Sequence, residues 1–303
     1  MIFLLALLMQ ILHGALMIAA APLAAGAVDR LAARFAGCAG PPWLLPWTNL
    51  VRLTRKTPVE RETGSPAMRF APAVAFGATA SAAALVPSFT LDMALFPLAD
   101  MLVIVSLLAI ARVAGVLSAL DSGAALPGLA AQRNAAAAVP AEAALLVAVF
   151  ALALMGGSLN LNAIIGQRGD PGLLPPAAAV AVAALLALAV ADSAPRDPAL
   201  DQSLTDTGLA VLQFADWLRR LVWIDLIGAL VVPFGLSAVP SPADWVTGFA
   251  GWAVRLGACI VGLAAAQTVL GTLPARRARE LTMAAGLLAL VAAVLVLTGT
   301  RMA

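Results

Sequence analysis

The chain has 303 residues, of which 62% are hydrophobic and only 11% are charged, and its mean hydropathy is +0.99. This composition excludes an ordinary soluble globular domain. The net charge of +2 says little about partners, and nothing in the sequence predicts that the chain binds nucleic acid.

Apolar runs that are long enough to cross a bilayer as helices fill most of the chain. They lie near residues 2–26, 70–90, 98–118, 141–157, 174–192, 221–238, 245–270 and 281–299. The first run is too long for a signal peptide and has no basic residue before it, so it is interpreted as a transmembrane helix. The sequence therefore predicts an all-α integral membrane protein with about eight transmembrane helices, forming a single domain over 1–303.

Almost all Lys and Arg residues fall on one side of these segments. That side holds Arg30, Arg34, Arg52, Arg55, Lys56, Arg61, Arg69, Arg133, Arg196, Arg219, Arg220, Arg276, Arg277 and Arg279. The opposite side holds only Arg168 and Arg301. Because loops that stay in the cytoplasm are enriched in basic residues, the large basic loops are predicted to be cytoplasmic and both termini to lie outside. We expect a multi-pass protein of the bacterial cytoplasmic (inner) membrane.

The first cytoplasmic loop, 27–69, is basic and contains the pattern of a short amphipathic helix. Its apolar residues, Trp47, Leu50, Val51 and Leu53, alternate with basic ones. Such a segment can lie at the headgroup level and attract anionic lipid. It can equally form a docking surface for a cytoplasmic partner. For the second interpretation the docking residues are Arg52, Arg55 and Lys56.

The second cytoplasmic loop, 119–140, is rich in turn residues. Asp121-Ser122-Gly123 and Pro127-Gly128 both predict bends. The Ala-rich stretch 135–144 is interpreted as a loop that leads into the start of the next helix. Asp121 and Arg133 are then further docking candidates, and a third docking loop is predicted at 193–220.

Several charged residues fall inside or at the ends of the apolar segments, where charge is costly and often functional. Asp100 and Glu142 are predicted at helix starts, where they can act as caps. Asp192 is predicted at a helix end, and Arg112 near a cytoplasmic boundary, where it can extend toward water. Asp225 and Arg255 are predicted to meet on neighbouring helices. As a set, Arg112, Glu142, Asp192, Asp225 and Arg255 form either an ion path or buried structural pairs.

No catalytic centre is recognisable in the chain. Cys38 and Cys259 have no nearby cysteine, and His13 is the single histidine, whereas zinc and iron–sulfur sites need several such ligands at close spacing. We therefore expect no catalytic residues, no metal and no cofactor bound by this chain.

Four ordered strings give the chain a resemblance to a known family. They are Pro46-Trp47-Thr48-Asn49-Leu50-Val51-Arg52-Leu53, the run from Leu120-Asp121-Ser122-Gly123 through Pro127 to Arg133 and Glu142, Met155-Gly156-Gly157-Ser158-Leu159-Asn160, and Leu212-Gln213-Phe214-Ala215-Asp216-Trp217. Asp197-Pro198 and Pro233-Phe234-Gly235 also fit. The chain resembles the membrane subunit shared by respiratory complex I (NADH dehydrogenase subunit 1) and membrane-bound [NiFe] hydrogenases, closest to the formate hydrogenlyase or hydrogenase-4 type.

The resemblance implies a non-catalytic membrane anchor in a multi-subunit oxidoreductase. Its partners would be hydrogenase-like or dehydrogenase-like large and small subunits, which carry iron–sulfur clusters and in some relatives a NiFe centre, together with antiporter-like membrane subunits. Proton or sodium movement would be linked to electron flow, and whether quinone binds stays open. The sequence departs from the family at Asn134, Gln213 and Gln267, where acidic residues are expected. The alternative function is a subunit of a cation/proton antiporter or a stand-alone transporter.

Overall fold

The computed structural model describes residues 2–56, 65–91, 93–166, 175–193, 197–202, 204, 206–232, 236, 242–270 and 275–299. Across these ranges the regular structure is helical, with one isolated antiparallel bridge between Asp100 and Asn160. The predicted all-α class is therefore confirmed. Arg61, Arg168, Arg196, Arg301 and the string 233–235 lie outside the described residues.

A helix covers most of each apolar segment that the sequence predicts. The helices are α1 (Ile2–Phe35), α2 (Leu45–Thr54), α3 (Pro66–Leu85), α4 (Met101–Asp121), α5 (Ala125–Gly156), α6 (Leu161–Gly166), α7 (Pro176–Asp192), α8 (Pro198–Asp201), α9 (Asp206–Val231), α10 (Pro242–Leu270) and α11 (Ala275–Leu297). A short 3-10 turn, Phe96–Leu98, precedes α4.

Five of the described helices, α1, α4, α5, α10 and α11, are long and apolar enough to cross a membrane. Helix α7 is as apolar but has only 17 residues. The chain is thus a multi-pass membrane protein. Eight spans with both termini outside remain a prediction, to which α3, α7 and α9 would contribute the other three.

Helix α9 lies at the centre of the bundle. Every residue from 221 to 230 is buried, as expected for a helix that other helices enclose on all sides. Helices α1, α3, α7 and α10 pack against it. In contrast, α10 and α11 leave Val254, Val269 and Leu297 more than 70% exposed, so their outer faces suit lipid.

The chain after α1 folds back against that helix and leads into α2. The Arg30 guanidinium lies 5.6 Å from the centre of the Trp43 ring. Gly26 permits the close approach, because a Cβ there would overlap the Trp43 carbonyl oxygen and lie 3.1 Å from Pro46 Cδ. Helix α2 is the short amphipathic helix that the sequence predicts, and it turns Pro46 and Leu53 inward.

The prediction of a loop at 135–144 is wrong, because α5 runs without interruption from Ala125 to Gly156. The many alanines of this stretch are the best helix formers. Pro127 lies in the first turn, where proline costs no intrahelical hydrogen bond. Glu142 is therefore well inside a helix and not at its start. Of the two bends that the sequence predicts here, only the one at Gly123 is a turn in the structure, with a φ of 64°.

The segment after α7 packs into the bundle. Leu200 is 2% exposed and belongs to one buried cluster with Val116, Ala119 and Ala131 of α4 and α5. Leu204 is also buried, against Ala114 and residues of α3 and α9. These two leucines cover the ends of α4, α5 and α9 on the basic side of the bundle.

Candidate functional site

A network of charged side chains joins four helices at the C-terminal end of α7. We call it the Asp192 cluster, and its members are Arg112 of α4, Glu142 of α5, Asp192 of α7, and Asp216, Arg219 and Trp223 of α9. Arg112 Nη1 lies 2.9 Å from Glu142 Oε1, and Arg112 Nη2 lies 2.7 Å from Asp192 Oδ1. Arg112 thus bridges two carboxylates with its two terminal nitrogens.

The second oxygen of Asp192 is held from α9. Arg219 Nε lies 3.2 Å from Asp192 Oδ2, and Trp223 Nε1 donates a hydrogen bond to the same oxygen at 2.8 Å. Arg219 Nη2 is also 3.9 Å from Asp216 Oδ1. Helix α10 adds a contact just beyond Asp192, where Gln267 Nε2 donates to the Ser193 carbonyl oxygen at 3.2 Å.

Burial within the Asp192 cluster decreases toward Glu142. The Asp192 side chain is 10% exposed, Arg112 13% and Glu142 27%. Charges this deep are tolerated because each is paired and hydrogen-bonded. Chemically, a row of carboxylates joined by guanidinium groups can hold helices together, and carboxylates that stand between water and the interior can also exchange protons.

A second polar cluster lies deeper, between α1, α9 and α10. We call it the Asp225 cluster, and its members are His13, Ser88, Asp225, Trp252 and Arg255. Trp252 Nε1 donates to Asp225 Oδ1 at 2.9 Å, and Arg255 Nη2 donates to the Ser88 carbonyl oxygen. His13 is fully buried, with Nδ1 2.7 Å from Ser88 Oγ and Nε2 2.8 Å from the Ala83 carbonyl oxygen.

Asp225 and Arg255, which the sequence predicts to meet, do lie on facing helices. Each carries charge that acts on the other, but their charged atoms are not within the 4.0 Å of an ion pair. Arg255 instead lies over Gly228, where a Cβ would be 3.0 Å from Arg255 Cγ and Cδ.

The two clusters lie on opposite faces of α9. Asp216, Arg219 and Trp223 follow one face at helical spacing, whereas Asp225 comes about two and a half turns after Asp216 and so points the other way. A continuous route between the clusters would have to pass around this central helix.

The predicted docking residues lie near the surface of the basic side. Arg52, Arg55 and Lys56 are exposed on and after α2, and Arg133 is exposed on α5. Asp121 is half-buried. Its Oδ2 accepts two hydrogen bonds from Ser65, one from the backbone N–H at 3.1 Å and one from the hydroxyl at 2.7 Å. It therefore joins the end of α4 to the start of α3. Asp100 precedes α4 but makes no side-chain capping bond.

Within the described ranges, no three His, Cys, Asp or Glu side chains are grouped so that they could hold a metal ion. Both cysteines are free, with Cys38 exposed and Cys259 half-buried. The clusters are thus built from ion pairs and hydrogen bonds.

Sequence reasoning misses the roles of Arg219 and Trp223, which complete the shell around Asp192. The sequence does contain a signal for these roles, because Asp216, Arg219 and Trp223 share one helical face that runs into an apolar segment. Arg219 precedes the predicted span, and by position alone it is only one more cytoplasmic basic residue.

Comparison with known proteins agrees with this architecture. Formate hydrogenlyase subunit 4 of Escherichia coli (strain K12) is 25% identical over 240 residues, which are 75% of this chain and 78% of that protein. A chain in the structure of the membrane-bound sulfane sulfur reductase, an archaeal respiratory membrane complex, has a TM-score of 0.80 at 18% identity. That match covers 97% of this chain and 99% of the other. At this low identity the structural likeness shows the fold alone.

The family model described as NADH dehydrogenase matches residues 1–203, which is more than half of the chain. The match includes α2, the turn at Gly123, and three helices that contribute to the Asp192 cluster. The chain therefore belongs to the NADH dehydrogenase subunit 1 family of membrane subunits.

Proposed function

We propose that the chain is the membrane anchor of a hydrogenase-type or complex I-like redox complex. On its basic side it docks the peripheral electron-transfer arm, and through the Asp192 cluster it links that arm to ion movement in the membrane. The observation that carries the proposal is the position of this cluster. It joins α4, α5, α7 and α9 on the same side of the bundle as the exposed residues Arg52, Arg55, Lys56 and Arg133.

The likeness to formate hydrogenlyase subunit 4 supports hydrogenase-like or dehydrogenase-like large and small subunits as the docked partners. Iron–sulfur clusters, and a NiFe centre in the hydrogenase case, would reside in those subunits. Antiporter-like subunits would complete the membrane arm, and the bacterial inner membrane is the expected location. The docking segments are 27–69, 119–140 and 193–220.

The link to ion movement rests on the graded exposure of the two carboxylates. Glu142, at 27% exposed, can exchange a proton with water on the basic side, and Asp192, at 10%, lies next to it through Arg112. Movement of Arg112 toward one carboxylate would weaken its hold on the other. A docked partner that shifts α5 would therefore change which carboxylate is paired.

Docking is tested by reversing one exposed charge. Arg133→Glu should release the peripheral subunits from purified membranes, because a basic docking surface would then repel an acidic partner face. Arg279→Glu, an equal charge change at an exposed residue of α11 outside the docking segments, is the matched control and should retain them. Full retention of the peripheral subunits by Arg133→Glu would refute docking at this position.

Ion linkage is tested with Glu142→Gln, which keeps the side-chain size but removes the exchangeable proton. The complex should assemble with its electron transfer largely retained, while ion movement in sealed vesicles falls by about ten-fold or more. If instead the variant loses assembly alone, Glu142 is a structural partner of Arg112. Purification of the chain with antiporter-like subunits and no redox subunits would support the antiporter alternative.

A further inference from the structure

Asp225 and Arg255 approach each other inside the bundle without touching. Asp225 is 1% exposed and Arg255 5%, and the charge of each acts on the other. Their charged atoms nevertheless stay beyond 4.0 Å. Beyond 4.0 Å no direct hydrogen bond forms, so a hydrogen-bonded link between the two groups would have to pass through water.

Three polar atoms of this pair are buried and have no hydrogen-bond partner in the described part of the chain: Asp225 Oδ2, Arg255 Nε and Arg255 Nη1. The other polar atoms are occupied, since Asp225 Oδ1 accepts from Trp252 and Arg255 Nη2 donates to Ser88. Buried polar groups, and charged ones above all, are almost always hydrogen-bonded. These three atoms therefore indicate a ligand.

The packing holds the two side chains in place. The stem of Arg255 lies against Gly228, one turn after Asp225 on α9, so that a Cβ at 228 would lie 3.0 Å from Arg255 Cγ and Cδ and 3.2 Å from Nε. The Trp252 indole holds the carboxylate from the other side. These contacts hold the two side chains apart in the structure.

The chemistry of the three atoms selects water as the ligand. Two of them are N–H donors and one is a carboxylate acceptor, which is the complement of a water molecule that accepts from the guanidinium and donates to the carboxylate. Arg255 disfavours a metal cation at this place, and Asp225 disfavours an anion.

We propose that Asp225 and Arg255 hold bound water between them, so that they form a water-bridged ion pair within the bundle. The site is separate from the Asp192 cluster, on the opposite face of α9, and it needs no partner subunit. Hydrogen bonds continue from Arg255 to Ser88 and from Ser88 to His13, so that α1, α9 and α10 share one hydrated polar network.

Cys259 is a reporter for this water. It lies about one turn beyond Arg255 on the same face of α10 and is half-buried. A thiol reacts with methanethiosulfonates as the thiolate, which needs water nearby, whereas a thiol that faces only lipid reacts slowly.

The experiment uses the full chain in membrane vesicles with Cys38→Ser, so that Cys259 is the single thiol. The probe is 2-hydroxyethyl methanethiosulfonate, a small neutral reagent. The matched control carries Cys38→Ser, Cys259→Ser and Val254→Cys, which puts the single thiol on the outer face of α10 at a residue that is 73% exposed. We expect Cys259 to react about ten-fold faster than the control thiol. Equal, slow reaction of both would overturn the proposal.

A second measurement does not depend on labelling. A structure of the assembled complex at a resolution that shows ordered water should contain density within hydrogen-bond distance of both Asp225 Oδ2 and Arg255 Nη1. A direct contact between those two atoms, or a side chain of another subunit in the gap, would refute the water bridge. Neither result tests docking or the role of Glu142. Failure of the water bridge would therefore leave the proposed function unaffected.

Discussion

Arg112 is the cation that the two carboxylates of α5 and α7 share in the Asp192 cluster. Its two terminal nitrogens lie 2.9 Å from Glu142 and 2.7 Å from Asp192, and they join three helices through one guanidinium. A lysine has a single charged atom and cannot reproduce this planar, two-ended geometry. The cluster is therefore specific for arginine at this position.

We expect Arg112→Leu to destabilise the chain by about 3–5 kcal/mol, because it leaves two largely buried carboxylates without their shared cation. The measurement is thermal unfolding of the purified protein in detergent, together with the amount found in membranes. Arg34→Leu, which removes an exposed arginine from α1, should change stability by less than about 1 kcal/mol. An Arg112→Leu protein as stable as this control would mean that the cluster does not stabilise the bundle.

Trp252 is the described protein donor to Asp225, at 2.9 Å. Trp252→Phe keeps an aromatic ring but removes the N–H, and we expect a loss of about 1–3 kcal/mol because a buried carboxylate oxygen loses its hydrogen bond. Unfolding in detergent measures this loss. The control is Trp43→Phe, at a residue 53% exposed, where phenylalanine still offers a ring face to Arg30. Equal, small effects of both changes would show that the Trp252 hydrogen bond contributes little.

At the scale of elements, the junction of α1 and α2 depends on a glycine. A side chain at Gly26 would overlap the Trp43 carbonyl oxygen, which is backbone and cannot move without displacing α2. We expect Gly26→Ala to detach the segment 38–56 from α1 and to make it a site of rapid proteolysis. Limited proteolysis of membranes measures this exposure.

Gly77→Ala is the matched control for Gly26→Ala. Gly77 lies inside α3, and apart from the backbone of that helix no atom comes within 4 Å of the place that a Cβ would take. Alanine there should be neutral or slightly stabilising, because glycine weakens a helix interior by about 1 kcal/mol. If both variants resist protease equally, α2 is held by contacts other than the approach at Gly26.

The elements differ in how well the sequence predicts them. Long apolar runs predict α1, α4, α10 and α11 because membrane thickness sets a simple length rule. The sequence pattern predicts α5 too short, because Pro127, Gly128 and the run of small residues after them resemble loop signals. In the first turn a proline breaks nothing, and alanine then extends the helix. A turn signal has to be judged by its position relative to the helix start.

For the site, the sequence predicts which charged residues lie in apolar surroundings, but not which ones touch. Asp192 and Glu142 are far apart in the chain, and only the packing of α4, α5 and α7 brings them to Arg112. Asp225 and Arg255 are predicted to meet and lie on facing helices, yet their separation depends on how Arg255 packs over Gly228. Pairing of side chains across helices is a tertiary property that spacing within one segment cannot give.

At the scale of the whole molecule, the distribution of basic residues makes a prediction about orientation. Reporters fused within 27–69 or 271–280 should show a cytoplasmic location, because the positive charges oppose translocation of these segments. Alkaline phosphatase fusions report a location outside the cytoplasm, and green fluorescent protein fusions report a location inside it. Phosphatase activity from either segment would contradict the eight-span orientation.

The unbroken course of α5 has a mechanical consequence. At 1.5 Å per residue its 32 residues measure about 48 Å, whereas the hydrocarbon core is about 30 Å thick, so roughly a third of it extends beyond the bilayer as a stiff rod. Arg133 is on the protruding part, about 13 Å along the axis from Glu142. A torque applied at the tip by a bound protein would travel along one continuous helix and reach Pro140 two residues before Glu142. Pro140, which lacks the N–H of an ordinary residue, is the weakest point of the rod and the place where it would bend first.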